Sequence, residues 1–193
     1  MPRSGSGRDM GLGTLGGATI VFKRKYRWTF EVDWNNKIIP EHFVKLAARP
    51  NLTIEETEIN WMHGKTWIPG KGTWETITVT YYDIGNAAGS GFDVLYSWLS
   101  TVYNFTDPIG LHQSSKRGTG SGYGATCNLT LYDGCGVSME EWKLKNAWPQ
   151  SINFGELDYS SSDDVNIELT IRYSDVQYLN TCGPNPTPLC GGC

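Results

Sequence analysis

The chain has 193 residues, of which 39% are hydrophobic and 19% are charged, and its formal net charge is −4. A chain of this length suits one domain that buries roughly 70% of the surface exposed by its unfolded form. The mildly acidic balance argues against a nucleic-acid clamp, which needs a clustered basic face, although DNA can pass such a surface without binding. No apolar run reaches the ~18 residues of a membrane span, so we expect no membrane partner.

Residues 1–17 form the first predicted unit, a flexible N-terminal arm. They are rich in glycine and serine and offer almost nothing to bury. They also lack the hydrophobic run of a secretory signal. Residues 11–16 match the G-x-G-x-x-G pattern of a dinucleotide site, which needs a strand before it and a helix after it. In this chain a flexible arm precedes the pattern and a strand follows it. We therefore interpret these glycines as part of the arm and expect no dinucleotide cofactor.

Alternation of apolar and polar residues predicts the first strand over residues 27–33. Trp28, Phe30 and Val32 then share one buried face, because successive side chains of a strand point to opposite sides. Residues 38–49 predict a short helix, which the following proline would end.

The next segment predicts two strands and a turn. Residues 52–60 are expected to pair with what precedes them, and the Pro-Gly-Lys-Gly sequence of residues 69–72 predicts a tight turn. Residues 74–83 are rich in β-branched and aromatic residues and alternate cleanly, which predicts a second strand after that turn.

A helix is predicted after residue 91, where the strand rhythm stops. Its apolar positions follow the spacing of one helical face, which we expect to point to the core. These positions are Phe92, Leu95, Tyr96, Leu99, Val102 and Tyr103.

The second half of the chain predicts a hairpin and one more strand. Residues 127–132 and 137–147 flank a turn at residues 133–136. The Trp-Pro pair at residues 148–149 is expected to break the returning strand, and residues 165–173 predict the final strand.

About seven strands and one helix predict a mainly β protein. Its expected architecture is two packed antiparallel sheets, a sandwich or barrel, flanked by one α-helix. The predicted organisation is therefore the arm at residues 1–17, a β domain at residues 18–178, and a tail rich in cysteine, proline and glycine at residues 179–193.

Five cysteines are an odd number for a disulfide-stapled domain. Cys127 lies on the apolar face of its strand and is predicted to be a buried thiol, whereas Cys135 lies in a turn and is expected to be exposed. We hypothesise that the tail cysteines, Cys182, Cys190 and Cys193, cross-link subunits, with Cys135 of a neighbouring copy as one partner. Each such bond would add ~2–4 kcal/mol. Reduced thiols are the alternative.

No catalytic or metal constellation stands out. The three histidines, His42, His63 and His112, do not lie at ligand spacing from one another or from a cysteine pair. Glu56 and Glu58 share a strand face, but charges on an exposed face are the ordinary explanation. The glycine-rich segment at residues 116–124 lacks the Lys-Ser/Thr ending of a phosphate-binding loop. We therefore expect no enzyme activity, no metal and no cofactor.

Eight tryptophans and ten tyrosines are many for this length, and aromatic residues are common at interfaces and in sugar-binding faces. Most are expected in the core. Trp61, Trp67, Trp74 and Trp148 lie near predicted turns and are candidates for an interface.

Residues 142–165 contain a Trp-Pro break, a Gly-Glu-Leu turn and a short polar stretch before the last strand. In this pattern the chain resembles the tail tube proteins of contractile-tailed (myovirus-type) bacteriophages. Residues 74–83, followed by the helix at Phe92, are similar to the middle of that family, and residues 23–33 fit its beginning. The resemblance covers residues 18–178. Members of the family typically lack a cysteine-rich end such as residues 181–193.

The resemblance implies two packed sheets flanked by a helix, in subunits that form hexameric rings whose strands join into one inner barrel. It also implies that the rings stack into a tube, which conducts DNA and templates the contractile sheath. The implied partners are further copies of the chain and the tail sheath, tape-measure, baseplate and tail-terminator proteins, while DNA passes without specific binding. The implied location is the virion, after assembly in the host bacterial cytoplasm.

The glycine-rich loop is the sort of segment that becomes ordered on contact with a neighbouring ring. Its candidate contact residues are Lys116, Arg117, Gly120 and Tyr123. Three alternatives stay open at this point. The chain is compatible with the tube of a contractile injection or type VI secretion system, with a carbohydrate-binding β-sandwich that presents exposed coplanar aromatics, and, third, with an enzyme of unknown type.

Overall fold

A computed structural model describes residues 14–15, 18–19, 23–84, 91–103, 105, 122–134, 136–160 and 162–180. The protein is mainly β with one α-helix, as predicted. In chain order its elements are β1 (Thr14–Leu15), β2 (Ala18–Thr19), β3 (Trp28–Trp34), β4 (Lys37–Ile39), a 3-10 helix (Glu41–Phe43), β5 (Val44–Ala47), β6 (Leu52–Trp61), β7 (Gly64–Trp74), β8 (Ile77–Tyr82), α1 (Gly91–Val102), β9 (Ala125–Tyr132), β10 (Ser138–Asn153), β11 (Asn166–Arg172) and β12 (Asp175–Asn180).

Two antiparallel sheets enclose the core, and they share β10. The first sheet has the order β4-β3-β9-β10-β12, and the second continues from the other half of β10 through β11 and β8 to β5. Two further pairs, β1 with β2 and β6 with β7, form separate two-stranded sheets. The predicted pair of packed sheets with a flanking helix is confirmed.

β10 runs without a break through the predicted Trp-Pro interruption, so that prediction is wrong. The ladder shifts register between Leu144 and Ala147 and again between Pro149 and Ser151. Asn146 has a φ of 52°, a left-handed conformation that asparagine tolerates better than most residues. Pro149 lies beside the second shift, and bulges are among the places where a strand tolerates proline. The two shifts bend β10 from one sheet into the other.

The core lies between the sheets, and the predicted strand faces supply it. Phe30 and Val32 of β3 are fully buried, while Trp28 is half-buried at the start of that strand. β9 and β11 alternate in the same way, with Leu129 and Leu169 among their buried residues. This period of two is what a half-buried strand requires.

The α1 helix is confirmed, but its buried face is rotated from the predicted one. Leu95 and Leu99 are buried as expected, whereas Tyr96 and Tyr103 are 42% and 48% exposed. These two tyrosines pack against the exposed Phe105 instead, with ring centroids 5.3 Å and 5.2 Å away. The buried face is completed by Val94 and Trp98.

The predicted helix over residues 38–49 is wrong, because this segment holds β4, a single 3-10 turn and β5. Ile39 and Phe43 are buried at either side of the turn and fix the chain to the core. β5 then pairs with β8. Pairing with a neighbouring strand therefore outweighs the weak local preference for a helix.

The predictions for residues 52–72 also need correction. β6 pairs with β7 and not with the preceding part of the chain. The turn between β6 and β7 lies at Met62 and His63. Pro69 and Gly70 lie inside β7, beside a register shift opposite Glu55. A Cβ on Gly70 would lie 3.1 Å from the carbonyl oxygen of Glu55, so glycine permits this close approach of the two strands.

Residues 166–172 form β11 as predicted, but it is not the final strand. β12 follows and pairs with the first half of β10, where Trp142 and Tyr178 bring their ring centroids to 4.6 Å. Because β12 ends at Asn180, the predicted domain boundary at residue 178 falls within this strand.

Candidate assembly surface

The β6–β7 hairpin is a projecting arm of the fold. Its strands have 10 and 11 residues, so each is roughly 30 Å long. Every residue from 51 to 73 is exposed, and the hairpin strands pair with each other and with no other described strand. Two-stranded hairpins are marginally stable in water unless a further surface packs on them.

One face of the outer hairpin carries no charge. Cross-strand partners share a face, so Ile59 opposite Thr66 and Thr57 opposite Ile68 lie on the same side as Trp61. Ile59, Trp61 and Ile68 are 37%, 69% and 47% exposed. We call these five residues the apolar hairpin face.

The opposite face of the same hairpin is charged. Glu58 lies directly opposite Trp67, and Glu56 lies on the same side. Lys65 forms an ion pair with Glu58 at 2.7 Å. The hairpin is therefore two-sided. One face surrounds the exposed Trp67 with charged groups, and the other exposes Ile59, Trp61 and Ile68 with no charge among them.

The base of the hairpin is clamped by Glu75. Its carboxylate accepts hydrogen bonds from the Thr53 hydroxyl at 2.6 Å and from the Asn51 amide at 2.7 Å. These two bonds lower the pKa of Glu75. The Glu75 backbone N–H also donates to the Asn51 carbonyl oxygen at 2.9 Å, so the direction in which the hairpin leaves the sheets is fixed.

Four segments end the sheets with an edge that no described strand pairs: β4 and β12 in the first sheet, and β5 and the second half of β10 in the second. Leu46 on β5 is 61% exposed, and Tyr178 and Leu179 on β12 are 46% and 39% exposed. An edge with free backbone groups and exposed apolar side chains is a template for pairing with another chain. A single chain closes no barrel among the described strands.

A nearly buried carboxylate, Glu140, holds the segment before β3 and the loop after β5 against β10. Its side chain is 3% exposed and accepts hydrogen bonds from Lys23 and from the Trp142 indole. Arg49 adds an ion pair at 3.2 Å. Burial opposes ionisation, but the hydrogen bonds and the two cations outweigh it, so the pKa of Glu140 is lowered.

Most predicted site residues lie outside the described residues. These are Lys116, Arg117 and Gly120 of the glycine-rich loop and the cysteines Cys135, Cys182, Cys190 and Cys193.

Tyr123 is the described member of the predicted contact loop. It lies just before β9, half-buried, where its ring packs edge-on against Trp148 with centroids 6.4 Å apart. Its carbonyl oxygen accepts a hydrogen bond from the Trp98 indole, and the neighbouring Gly122 carbonyl accepts one from Trp34. Cys127 is fully buried as predicted, and burial raises the pKa of its thiol, so it stays protonated.

The described residues hold no group of three or more His, Cys, Asp or Glu side chains that suits a metal ion. No helix in the described part of the chain has the length and hydropathy needed to cross a membrane.

The aromatic residues near the sheet ends do not form a flat platform where the structure describes them. Trp74 and Tyr173 are tilted by 51°, and Tyr123 and Trp148 by 80°. Stacking on sugar rings needs coplanar exposed rings, which these two pairs do not supply.

Several solved structures share this fold. A chain in the sixfold-symmetrised cryo-EM structure of the anti-feeding prophage (AFP) baseplate superposes with a TM-score of 0.63 at 13% identity, over 84% of this chain and 98% of that one. A chain in the structure of the AFP tube-terminating cap gives 0.63 at 16% identity, over 85% and 95%. A chain in the extended sheath-tube complex of PVC, an extracellular contractile injection system, gives 0.60 at 18%, over 83% and 93%.

At these identities the likeness establishes the fold. It confirms the fold expected from the resemblance to tail tube proteins. No protein-family model matches the sequence, and no curated protein matches it.

The sequence prediction missed the hairpin as a functional feature. The signal was present, since Thr57, Ile59 and Trp61 alternate with charged or amide residues at period two. Placing the turn at residues 69–72 concealed it, because that choice split β7 and removed the partner strand.

Proposed function

We propose that this chain is a structural subunit of a phage tail tube, that its copies form hexameric rings, and that the rings stack into the conduit for DNA ejection. The apolar hairpin face is the observation that carries this proposal. The fold supports it, because its solved counterparts include chains in the AFP baseplate and tube-terminating cap and in the PVC sheath-tube complex.

The hairpin requires a partner for a physical reason. Ile59, Trp61 and Ile68 are exposed. Covering them would stabilise a complex by roughly 25 cal/mol for each Å² of apolar surface removed from water. A long two-stranded ribbon gains little stability by itself. A second copy of the chain is a partner that is present wherever the chain itself is present. Repetition of the same contact then gives a closed ring or a stack.

The unpaired sheet edges supply the second contact of the proposed ring. β5 of one copy and an edge strand of the next are expected to join, so that strands from all copies close one inner barrel. Closure removes edges that would otherwise promote aggregation.

The remaining assignments follow from this role. The subunit acts as scaffold and not as an enzyme, it lies in the virion after assembly in the host cytoplasm, and it contacts sheath, tape-measure, baseplate and terminator proteins. DNA passes through without specific binding, since the net charge of −4 disfavours retention of a polyanion.

A second candidate is the tube of a contractile injection system, which the likeness to a chain in the PVC sheath-tube complex favours. Both candidates need the same ring and differ in what passes through the lumen. Analysis of particles isolated from the source cells distinguishes them, because DNA-filled heads accompany a phage tail and protein cargo accompanies an injection system.

Two finer contacts belong to this proposal. The loop residues Lys116, Arg117, Gly120 and Tyr123 are expected to contact the next ring. Cys135, Cys182, Cys190 and Cys193 are candidates for disulfides between subunits. Non-reducing gels of assembled material test the second point, and a ladder of cross-linked species is the expected result.

Electron microscopy of the purified chain, with light scattering on the same sample, tests the function. Rings or hollow tubes are expected. Trp61→Ser removes the largest group of the apolar hairpin face and should suppress assembly. Trp67→Ser is the matched control, because it removes the same side chain from the opposite face of the same hairpin.

A stable monomer at high concentration, with no response to seeding by preformed ends, would reject the tube role. Equal loss of assembly in both tryptophan variants would instead reject the assignment of the contact to one face.

A further inference from the structure

A cleft of about 440 Å³ with an apolar floor is lined in part by Lys23 and Arg49, the two ion-pair partners of Glu140. Leu129 and Leu131 form its floor and are buried, and Trp28 is half-buried at its wall. Leu46 also lines the cleft and is 61% exposed. The cleft therefore offers apolar surface that the described part of the chain leaves uncovered.

Basic side chains surround this floor. Lys23, Arg24, Lys25 and Arg49 all line the cleft. Glu140 pairs with Lys23 and Arg49 and so holds both cations at the rim. Arg24 and Lys25 are exposed and take part in none of the ion pairs between described residues. The rim thus keeps a net positive charge in a chain whose net charge is negative.

The loop between β10 and β11 has the opposite character. Residues 154–165 contain four carboxylates and no lysine or arginine. Leu157 is 85% exposed and Tyr159 is fully exposed. Asp158 fixes the loop locally, since its carboxylate accepts from the Ser160 N–H at 2.9 Å and the Ser160 hydroxyl at 2.7 Å. The loop therefore presents two apolar side chains among negative charges, and we call it the acidic loop.

We propose that the acidic loop of one copy docks into the basic-rimmed cleft of the next copy. The proposal rests on the proposed self-assembly and identifies one of its contacts. Leu157 and Tyr159 supply apolar anchors for the cleft floor, and the loop carboxylates meet the cations at the rim. A central apolar anchor within a charged ring is the usual arrangement of a specific interface.

This pairing limits the kinds of assembly that can form. The cleft and the loop are different surfaces of the same chain. Head-to-tail docking is heterologous and makes a ring or an open stack when it is repeated, whereas reciprocal docking of two copies would close a twofold dimer. The proposed tube requires the head-to-tail form. Complementary charge would speed the encounter and select the register.

Charge reversal tests the pairing. Lys25→Glu changes the rim and Glu156→Lys changes the loop, and neither residue takes part in an ion pair between described residues. Each change should raise the protein concentration needed for half-maximal assembly by about tenfold, because an attraction between the two surfaces becomes a like-charge repulsion. A chain with both changes should recover part of that loss. Glu168→Lys is the matched control, at an exposed position of β11 outside the proposed contacts, and should assemble as the wild type does.

The outcomes separate the pairing from the function. If the wild type assembles and both reversals assemble equally well, the pairing is overturned and the tube role stands. If the wild type stays monomeric, a fluorescent peptide of residues 154–165 decides the pairing by anisotropy. The pairing is supported if the peptide binds the full chain and Lys25→Glu weakens that binding. The pairing is overturned if the peptide does not bind. It is also overturned if the peptide binds only after residues 1–17 are removed, because the cleft would then belong to the arm of the same chain.

Discussion

The indole Nε1 of Trp98 donates a hydrogen bond to the carbonyl oxygen of Tyr123 at 2.8 Å. Trp98 is fully buried on α1, and Tyr123 stands at the entrance to β9. Trp34 on β3 makes the same kind of bond to Gly122 at 3.0 Å. Two indoles from different elements therefore fix where the glycine-rich segment returns to the first sheet.

Replacement of Trp98 tests this anchor. Trp98→Phe removes the indole donor, so the Tyr123 carbonyl oxygen loses this hydrogen bond, and the smaller ring leaves a small cavity. The free energy of unfolding should therefore fall by about 2–4 kcal/mol. Urea titration followed by circular dichroism measures the change. Trp67→Phe, at a 55% exposed position, is the control and should change the stability by less than about 0.5 kcal/mol. A similar small effect for both variants would contradict the anchoring role.

Tyr81 places its hydroxyl in the core without a hydrogen-bond partner among the described residues. Burial raises its pKa well above the ordinary value, with a smaller contribution from Cys127. Tyr81→Phe removes the unsatisfied group and keeps the ring, so stability should be unchanged or rise by about 1 kcal/mol. Thermal and urea unfolding check this. A loss of more than about 1 kcal/mol would reveal a partner for the hydroxyl.

Gly155 begins the acidic loop with a φ of 79°, and a Cβ there would lie 2.7 Å from the Asn166 carbonyl oxygen. Gly155→Ala should destabilise the fold by about 2–4 kcal/mol through backbone strain and the clash. Gly136→Ala is the matched control, because Gly136 has a φ of 81° and open space around its Cβ position. It should cost only the strain, about 1 kcal/mol. An equal loss of stability at the two sites would mean that the backbone near Asn166 shifts to make room for the added methyl group.

Glu140 predicts a specific acid sensitivity. Its pKa in the folded protein is lowered from 4.5, so the unfolded chain binds the proton more tightly. The resulting stabilisation is complete above the unfolded pKa and is lost as the pH falls through the folded pKa. Unfolding free energy measured from about pH 3 to pH 6 should rise with pH in the wild type, and the slope should be smaller in Glu140→Gln. An unchanged slope would show that Lys23 and Arg49 do not stabilise the ionised form.

Much of the fold was predictable from local patterns. Alternation located β3, β9 and β11, and helical spacing located α1, because each of these elements buries one face against the core. What failed depends on distant partners. Pro149 reads as a strand breaker until the register shift beside it is known, and β12 is defined by its pairing with β10 and not by its own short pattern.

The candidate site was less predictable for a related reason. Residues 52–74 look like an ordinary strand, turn and strand, and the sequence does not show that the rest of the described chain leaves them exposed. The pairing of Lys23 and Arg49 with Glu140 joins residues far apart in the chain, which no spacing rule detects. The cleft that these residues line could therefore be found only from the structure.

The continuity of β10 has a mechanical consequence. Two sheets that meet only through side chains are held against sliding by packing contacts, each of which is weak by itself. Here the backbone of a single 16-residue strand belongs to both sheets, so a shear load passes between them through covalent bonds. A load applied to one sheet would therefore reach the other without separating the two layers of the core.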